Sequence, residues 1–247
     1  MKATYWGETN IGKVRSKNED RLVIEEIWNG THLLATVIDG VGGNGGGDYA
    51  AEIARNSILD TLREITDRNN DFDILKSAVI FANNQIYSQH TIPTLSNMSC
   101  VLTAVLINLQ NYTMNICHVG DTRLYKYSNG ELTKLTSDHS PVGQMEDAGR
   151  LSEWEAMRHP MRNVIYRSVG KDMLSFDTEY IDYLTIKLEP CTLLLCSDGL
   201  TDMVDTTQIT KILSEPTSAE ERTQKLIDRA LEAGGQDNTT VIIIDLN

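Results

Sequence analysis

Apolar residues recur along the chain in two distinct patterns, which predict its strands and helices. Two β-rich runs, 21–28 and 31–38, flank Asn29-Gly30, the strongest short-range signal for a β-hairpin. Further strand-like runs follow from residue 100 onward, and the last of them is almost entirely apolar. The pattern predicts these strands at 100–109, 112–119, 123–127, 176–188, 192–196 and 239–246.

Helices are predicted where apolar residues recur every three or four positions. The first follows the glycine-rich stretch 40–47, with its apolar face running from Ala50 to Ile65, and others are expected at 72–89, 206–213 and 218–233. Strands therefore come in groups and helices in pairs, which is typical of an α+β fold with largely antiparallel sheets. No linker or repeat interrupts the pattern, so we expect one domain over residues 1–247.

The segment 137–160 differs from the rest because it is polar and irregular. Its one predicted helix is short and begins at the capping box Ser152–Glu155. Segments of this length with little regular structure often have a functional role.

Composition excludes several classes of protein. Among 247 residues the formal net charge is −13, and a surface this acidic repels a phosphate backbone, so we expect no nucleic-acid partner. The longest apolar stretch, 101–109, is too short to span a membrane. The first ten residues contain no apolar signal-peptide core, and the four cysteines form no CxxC pair. We therefore expect free, buried thiols and a cytoplasmic protein.

Four aspartates share a position at the end of an apolar run, next to a glycine or a turn: Asp39, Asp121, Asp198 and Asp237. Carboxylates that converge repel each other unless a cation neutralises them, and oxygen ligands without His or Cys favour Mg²⁺ or Mn²⁺. Asp-Gly is also a common turn dipeptide. From spacing alone, a metal site and ordinary turn chemistry explain the four positions equally well.

Arg15 is the candidate phosphate-binding residue, because a guanidinium presents a planar fork of donors to phosphate oxygens. A lone surface arginine is usually just solvated. Here Glu19 and Asp20 lie close by in the chain and would connect this segment to metal ions through bound water.

At these residues the sequence resembles the metal-dependent type-2C protein Ser/Thr phosphatases in their compact bacterial form. The resemblance covers nearly the whole chain and preserves the order of the family's motifs. The matching segments are Gly12-x-x-Arg15-x-x-Asn18-Glu19-Asp20, Asp39-Gly40-Val41-Gly42-Gly43, Gly120-Asp121-Thr122-Arg123, Ser197-Asp198-Gly199-Leu200 and Gly235-Gln236-Asp237-Asn238-Thr239. Asp138-His139-Ser140 opens a segment similar to the family's flap, expected near 137–165.

The resemblance implies a fold and a set of ligands. The fold is a four-layer α/β/β/α sandwich, with two mostly antiparallel sheets face to face and helices on both outer sides. Two Mg²⁺ or Mn²⁺ ions are implied, bridged by Asp39, with the Gly40 carbonyl on one ion and Asp198 and Asp237 on the other. The remaining implied roles are a third, weaker ion on Asp121 and Asp198, substrate phosphate on Arg15, and contacts to metal-bound waters from Glu19, Asp20 and Asn238.

The implied activity is hydrolysis of phosphoserine and phosphothreonine in proteins by a metal-bridging hydroxide. The resemblance also implies a monomer with phosphorylated protein substrates, opposing a bacterial Ser/Thr kinase. Where eukaryotic relatives have a histidine thought to protonate the leaving alcohol, this chain has Val41, so water must supply that proton. The alternative is a non-catalytic module that binds or senses phosphoproteins on the same scaffold; it ranks lower because every expected aspartate is present.

Overall fold

The computed structural model describes residues 2–42, 46–66, 68–172, 176 and 180–247. It contains two compact units, each built from separate stretches of the chain. The first unit comprises 1–18, 120–167 and 190–247, and the second comprises 19–119 and 168–189. Each unit has its own five-stranded sheet, and every pairing between the described strands is antiparallel.

The sheet of the first unit has the strand order β1-β10-β9-β6-β7. Its strands are β1 (Ala3–Asn10), β6 (Arg123–Ser128), β7 (Glu131–Lys134), β9 (Cys191–Cys196) and β10 (Thr239–Leu246). Its helices are α3 (Pro141–Asp147), α4 (Glu153–Ala156), α5 (Asp198–Thr201), α6 (Thr206–Leu213) and α7 (Ala219–Glu232). The core of this unit forms where Leu226 and Ile227 of α7 pack with Leu194 and Val241 of the sheet.

The sheet of the second unit has the strand order β2-β3-β4-β5-β8. Its strands are β2 (Arg21–Ile27), β3 (His32–Val41), β4 (Ser99–Asn108), β5 (Thr113–Val119) and β8 (Asp182–Lys187). Two long helices, α1 (Gly47–Glu64) and α2 (Asp71–Ser88), are followed by short 3₁₀ turns at Gln89–Thr91 and Pro93–Leu95. Ile58 and Leu75 of the two helices are fully buried in one cluster with Leu34 and Leu102 of the sheet.

Asn29-Gly30 and Asn129-Gly130 both form turns, as their sequences predict, and the third such pair, at 44–45, lies outside the described residues. Asn129 and Gly130 have φ values of 55° and 83°, and Ser128 pairs with Glu131, so this is a two-residue hairpin loop with both central residues left-handed. The earlier hairpin is also confirmed, but its loop is longer than expected. Trp28 leaves the strand with φ 54°, and its indole nitrogen donates to the Leu62 carbonyl oxygen at 2.7 Å.

Four of the described strands and helices were not predicted from the sequence, namely β1, β7, α3 and α5. The expectation of one short helix in 137–160 was wrong, because Ser140 caps α3 by accepting from Gly143 N at 3.0 Å, with Pro141 in the first helical turn. β1 has a weak pattern of its own and is stabilised by a partner far along the chain, pairing with β10 from Ala3–Leu246 to Asn10–Thr239.

The strand expected at 176–188 is shorter, covering Asp182–Lys187, and residues 177–179 lie outside the described part.

All four cysteines are free, as expected, and Cys100, Cys117 and Cys196 are buried whereas Cys191 is partly exposed. Within the described ranges, no helix combines the length and the apolar character needed to cross a membrane.

Candidate metal and phosphate site

In the first unit, two of the predicted ligands come from adjacent turns. Asp198 is the first residue of α5, and Asp237 lies two residues before β10. The turns pack closely, because a Cβ added to Gly199 would lie 1.9 Å from the Asn238 carbonyl oxygen. Any side chain at residue 199 would push these turns apart, so the glycine of the Asp-Gly pair is required for this packing.

Arg15 contacts one of these carboxylates directly. Its Nη2 atom lies 2.6 Å from Asp237 Oδ2, and the two side chains are 46% and 29% exposed. The other carboxylate oxygen, Oδ1, accepts from the Asn238 backbone nitrogen at 2.8 Å. The structure thus brings the candidate phosphate-binding residue onto a candidate metal ligand, although the two are far apart in sequence.

A short loop, residues 11–17, carries Arg15 and lies against the turn 235–238. Gly12 has φ 80°, and a Cβ there would lie 2.4 Å from the Asp237 carbonyl oxygen, so only glycine fits. Lys13 N donates to the Gly235 carbonyl oxygen at 2.7 Å. Asn238 contributes two further hydrogen bonds from its side-chain nitrogen, to the carbonyl oxygens of Ile11 and Lys17, each 2.9 Å long.

Asp121 lies with Asp198 on one small cavity of about 30 Å³, together with Asp202. Loss of solvation and the neighbouring Asp138 carboxylate raise the pKa of Asp121 to about 7. Loss of solvation likewise raises the pKa of Asp202 to about 6, and the charge of Asp237 acts in the same direction. Loss of solvation is thus the main cause that disfavours the negative charges of Asp121 and Asp202, and neighbouring carboxylates add to it.

The start of the flap segment is attached to the sheet by buried ion pairs. Arg123 of β6 donates to Asp138 Oδ2 at 2.7 Å and to Glu146 Oε2 at 2.7 Å, and Lys134 lies 2.9 Å from Asp138 Oδ1. Burial alone would raise the pKa of Asp138, but the two cations hold it below its usual value. Asp138 is therefore a charged anchor for α3, which carries Glu146.

In the second unit, the remaining predicted residues gather where β3 ends. Gly40 N donates to the Glu19 carbonyl oxygen at 3.2 Å, and the neighbouring Asp20 is buried. A Cβ added to Gly40 would lie 2.2 Å from the Gly47 carbonyl oxygen, so the start of α1 lies directly against this strand end. Asp39, Gly40, Glu19 and Asp20 are thus brought together within this unit. Gly43 of the same motif lies outside the described residues.

The donor set of the first unit fits divalent ions with oxygen ligands. The cavity lining includes three carboxylates, Asp121, Asp198 and Asp202, beside the cations Arg123 and Arg162. A divalent cation would stabilise the charged forms of Asp121 and Asp202, whose pKa values are raised mainly by loss of solvation. Over the described ranges, no group of three or more His, Cys, Asp or Glu side chains is already arranged to hold a metal ion. The fit therefore rests on the chemistry of the donors.

Asp202 lines this cavity but is not among the candidate residues of the sequence analysis. It follows Asp198 by one helical turn across α5, and its Oδ2 atom accepts from Arg162 Nε at 3.1 Å. The signal was present, because side chains four residues apart lie on one face of a helix. The sequence pattern predicts the next helix only from residue 206, so Asp198 and Asp202 were not expected on one helix.

Comparison with known proteins gives a consistent result. The family model described as "Protein phosphatase 2C" matches residues 12–233. The "Serine/threonine phosphatase stp" of Listeria welshimeri is 34% identical over 245 residues, which cover 97% of this chain and 94% of the relative.

Two solved structures are similar over almost their whole length. The Mycobacterium tuberculosis serine/threonine phosphatase PstP/Ppp matches with a TM-score of 0.85 and 30% identity, covering 99% of each chain. The catalytic domain of the phosphatase PstP "in complex with 2 Manganese ions" matches with a TM-score of 0.83 and 28% identity, covering 98% of this chain and 97% of the other. These matches confirm the predicted α+β sandwich fold class.

Proposed function

Because this chain belongs to the protein phosphatase 2C family, we propose that it removes phosphate from phosphoserine and phosphothreonine in proteins. It is a metal-dependent protein phosphatase that uses divalent cations. The observation that carries the proposal is the contact between Arg15 and Asp237, since it sets a phosphate-binding guanidinium beside a carboxylate suited to a metal ion.

We propose that Asp39, the Gly40 carbonyl, Asp198 and Asp237 hold two Mg²⁺ or Mn²⁺ ions, with Asp39 shared by both. The proposal is supported by the motifs that contain these residues and by the oxygen-only donors. Asp121 and Asp198 would hold a third, weaker ion, and Glu19, Asp20 and Asn238 would contact metal-bound waters. Bound divalent ions supply two things, a lowered pKa for water and neutralisation of the phosphoryl charge.

Arg15 has the role of binding and orienting the substrate. Its guanidinium would donate two parallel hydrogen bonds to the phosphate oxygens, which fixes the phosphoryl group in one orientation. We propose that it leaves Asp237 Oδ2, the atom that its Nη2 contacts in the structure, when Asp237 binds a metal ion. Val41 has no proton to donate, so the leaving alcohol takes its proton from water.

Several finer features of the function are also proposals. Phosphate on serine or threonine is placed there by a kinase, so we propose that the chain opposes a Ser/Thr kinase or acts on its targets. We propose a cytoplasmic location, supported by four free thiols, and a monomeric state. We propose one catalytic domain, supported by a single family model that spans 12–233 and so includes stretches of both units.

A non-catalytic phosphoprotein-binding module on the same scaffold is not favoured by the comparisons, since the matched proteins have the names of Ser/Thr phosphatases. Hydrolysis of p-nitrophenyl phosphate and of a phosphothreonine peptide separates the two functions. We expect turnover with Mn²⁺, none with a chelator, and none for Asp39→Asn. Asp60→Asn, at an exposed aspartate of α1, is the matched control and should retain full activity. Turnover that persists with chelator or in Asp39→Asn would contradict the proposal.

A further inference from the structure

The side chain of Asn238 joins the two ends of the loop that carries Arg15. Its Nδ2 atom donates to Ile11 O and to Lys17 O, each at 2.9 Å, and the residue is only 4% exposed. These two carbonyls flank Arg15 on both sides in sequence. One buried amide group therefore uses both of its hydrogens to keep the loop closed.

Two further contacts lie in the first part of this loop. Gly12 lies against the Asp237 carbonyl, and Lys13 N donates to the Gly235 carbonyl oxygen at 2.7 Å. Past Arg15, the hydrogen bond from Asn238 to Lys17 O ties the backbone to this turn, and Asn18 just beyond donates from Nδ2 to Thr9 Oγ1 at 2.9 Å. The backbone of Asn238 also donates to Asp237 Oδ1 at 2.8 Å, so one residue orders both members of the Arg15–Asp237 pair.

The side chain of Arg15 reaches Asp237 Oδ2 from the backbone of this loop. It is long and nearly half exposed, so the placement of its guanidinium depends on the backbone beneath it. A hydrogen-bonding group that binds phosphate loses much of its effect when it is displaced by about 1 Å. The rigidity of the loop therefore decides how much Arg15 contributes.

We propose that Asn238 is a positioning residue for substrate binding, which acts through Arg15 by closing the loop 11–17. This inference rests on the proposed function, because it requires that Arg15 binds the substrate phosphate. In this role the two Nδ2 hydrogens of Asn238 form hydrogen bonds with the backbone carbonyls of Ile11 and Lys17. Asn238 is buried and both hydrogen bonds are partly buried, so removing the amide takes one donor away from Ile11 O and one from Lys17 O.

The test combines a loop measurement with a double-mutant cycle. Asn238→Ala removes both donors. Asn83→Ala is the matched control, because Asn83 is also a buried asparagine that bridges distant backbone, accepting from Gly170 N at 2.7 Å and donating to Lys171 O at 2.9 Å. Both variants are checked by thermal unfolding, and all assays run below the lower unfolding midpoint.

The loop measurement uses trypsin, because Lys13, Arg15 and Lys17 are cleavage sites within the loop. We expect Asn238→Ala to be cleaved there at least about fivefold faster than the wild type, and Asn83→Ala at the wild-type rate. This result does not depend on metal or on activity. Unchanged cleavage of Asn238→Ala would overturn the proposal, whatever the wild-type enzyme does in the phosphatase assay.

The cycle compares Asn238→Ala in the wild type and in an Arg15→Ala background with Mn²⁺ and a phosphothreonine peptide. We expect kcat/KM to fall about tenfold in the wild type, mainly through KM, and less than about twofold when Arg15 is already absent. Equal losses in both backgrounds would show that Asn238 acts independently of Arg15 and would overturn the proposal. Absence of turnover by the wild-type enzyme would instead remove the proposed function, while the trypsin result would still report on the loop.

Discussion

Arg15→Ala is the substitution that most directly probes phosphate binding by the chain itself. It removes the guanidinium that lies 2.6 Å from Asp237 Oδ2 and leaves the loop backbone in place. The side chain is nearly half exposed and belongs to no hydrophobic cluster, so we expect the fold to be retained.

The size of the effect follows from two opposing contributions. Charge-assisted hydrogen bonds from a guanidinium to a phosphate are worth about 1.5–3 kcal/mol. Releasing the exposed ion pair with Asp237 costs about 0.5 kcal/mol of this. The net loss on substitution is then about 1–2.5 kcal/mol, which corresponds to a fall in kcat/KM of about 5- to 60-fold.

The assay is steady-state hydrolysis of a phosphothreonine peptide at saturating Mn²⁺, with circular dichroism as the check on folding. Arg229→Ala is the matched control, because Arg229 is a similarly exposed arginine in a surface ion pair with Glu232. We expect full activity for this control. An unchanged kcat/KM for a folded Arg15→Ala would refute the role of Arg15 in holding the phosphate.

Further predictions concern the ions, the buried charges and the thiols. Asp121→Asn should lower hydrolysis mainly at limiting Mn²⁺, because it removes a ligand of the proposed third ion; a Mn²⁺ titration of activity measures this. Arg123→Leu should destabilise the fold by about 3 kcal/mol in denaturant unfolding, because it removes a buried cation from Asp138. Since the folded pKa of Asp138 is depressed, its stabilising contribution is present above about pH 4 and is lost as the pH falls further. In native protein a thiol reagent should label no cysteine except Cys191, because the others are buried, with burial raising the pKa of Cys196 to about 12.

Each of these has a clear opposite result. Full activity of Asp121→Asn at limiting Mn²⁺ would argue against a third ion. A loss below about 1 kcal/mol for Arg123→Leu would show that Lys134 alone is enough to keep Asp138 ionised. Rapid native labelling of two or more thiols would show that the strands carrying them open in solution.

The sequence predicts the elements whose signal is local. Helix α6 has the bounds expected from its apolar spacing, and Ser218 caps α7 by accepting from Glu221 N at 3.1 Å, at the predicted start of that helix. Asn129-Gly130 forms its turn because both residues tolerate a left-handed backbone. In these cases the residues that decide the structure are neighbours in the chain.

Features that depend on residues far apart in the chain could not be predicted from local sequence patterns. β1 is a strand because it pairs along its whole length with β10, which lies at the other end of the sequence. The contacts of Arg15 with Asp237 and of Asn238 with Lys17 likewise join residues more than 200 positions apart. The order of the motifs predicted that these residues belong to one site. No local sequence pattern indicates which of their atoms form hydrogen bonds with each other.

The location of the ions is the central claim, and anomalous diffraction from crystals grown with Mn²⁺ tests it most directly. We predict at least two manganese peaks bonded to carboxylate oxygens of Asp39, Asp198 and Asp237, with Arg15 no longer on Asp237 Oδ2. Peaks bound to other residues, or none at all in crystals of an enzyme that is active in solution, would contradict the account.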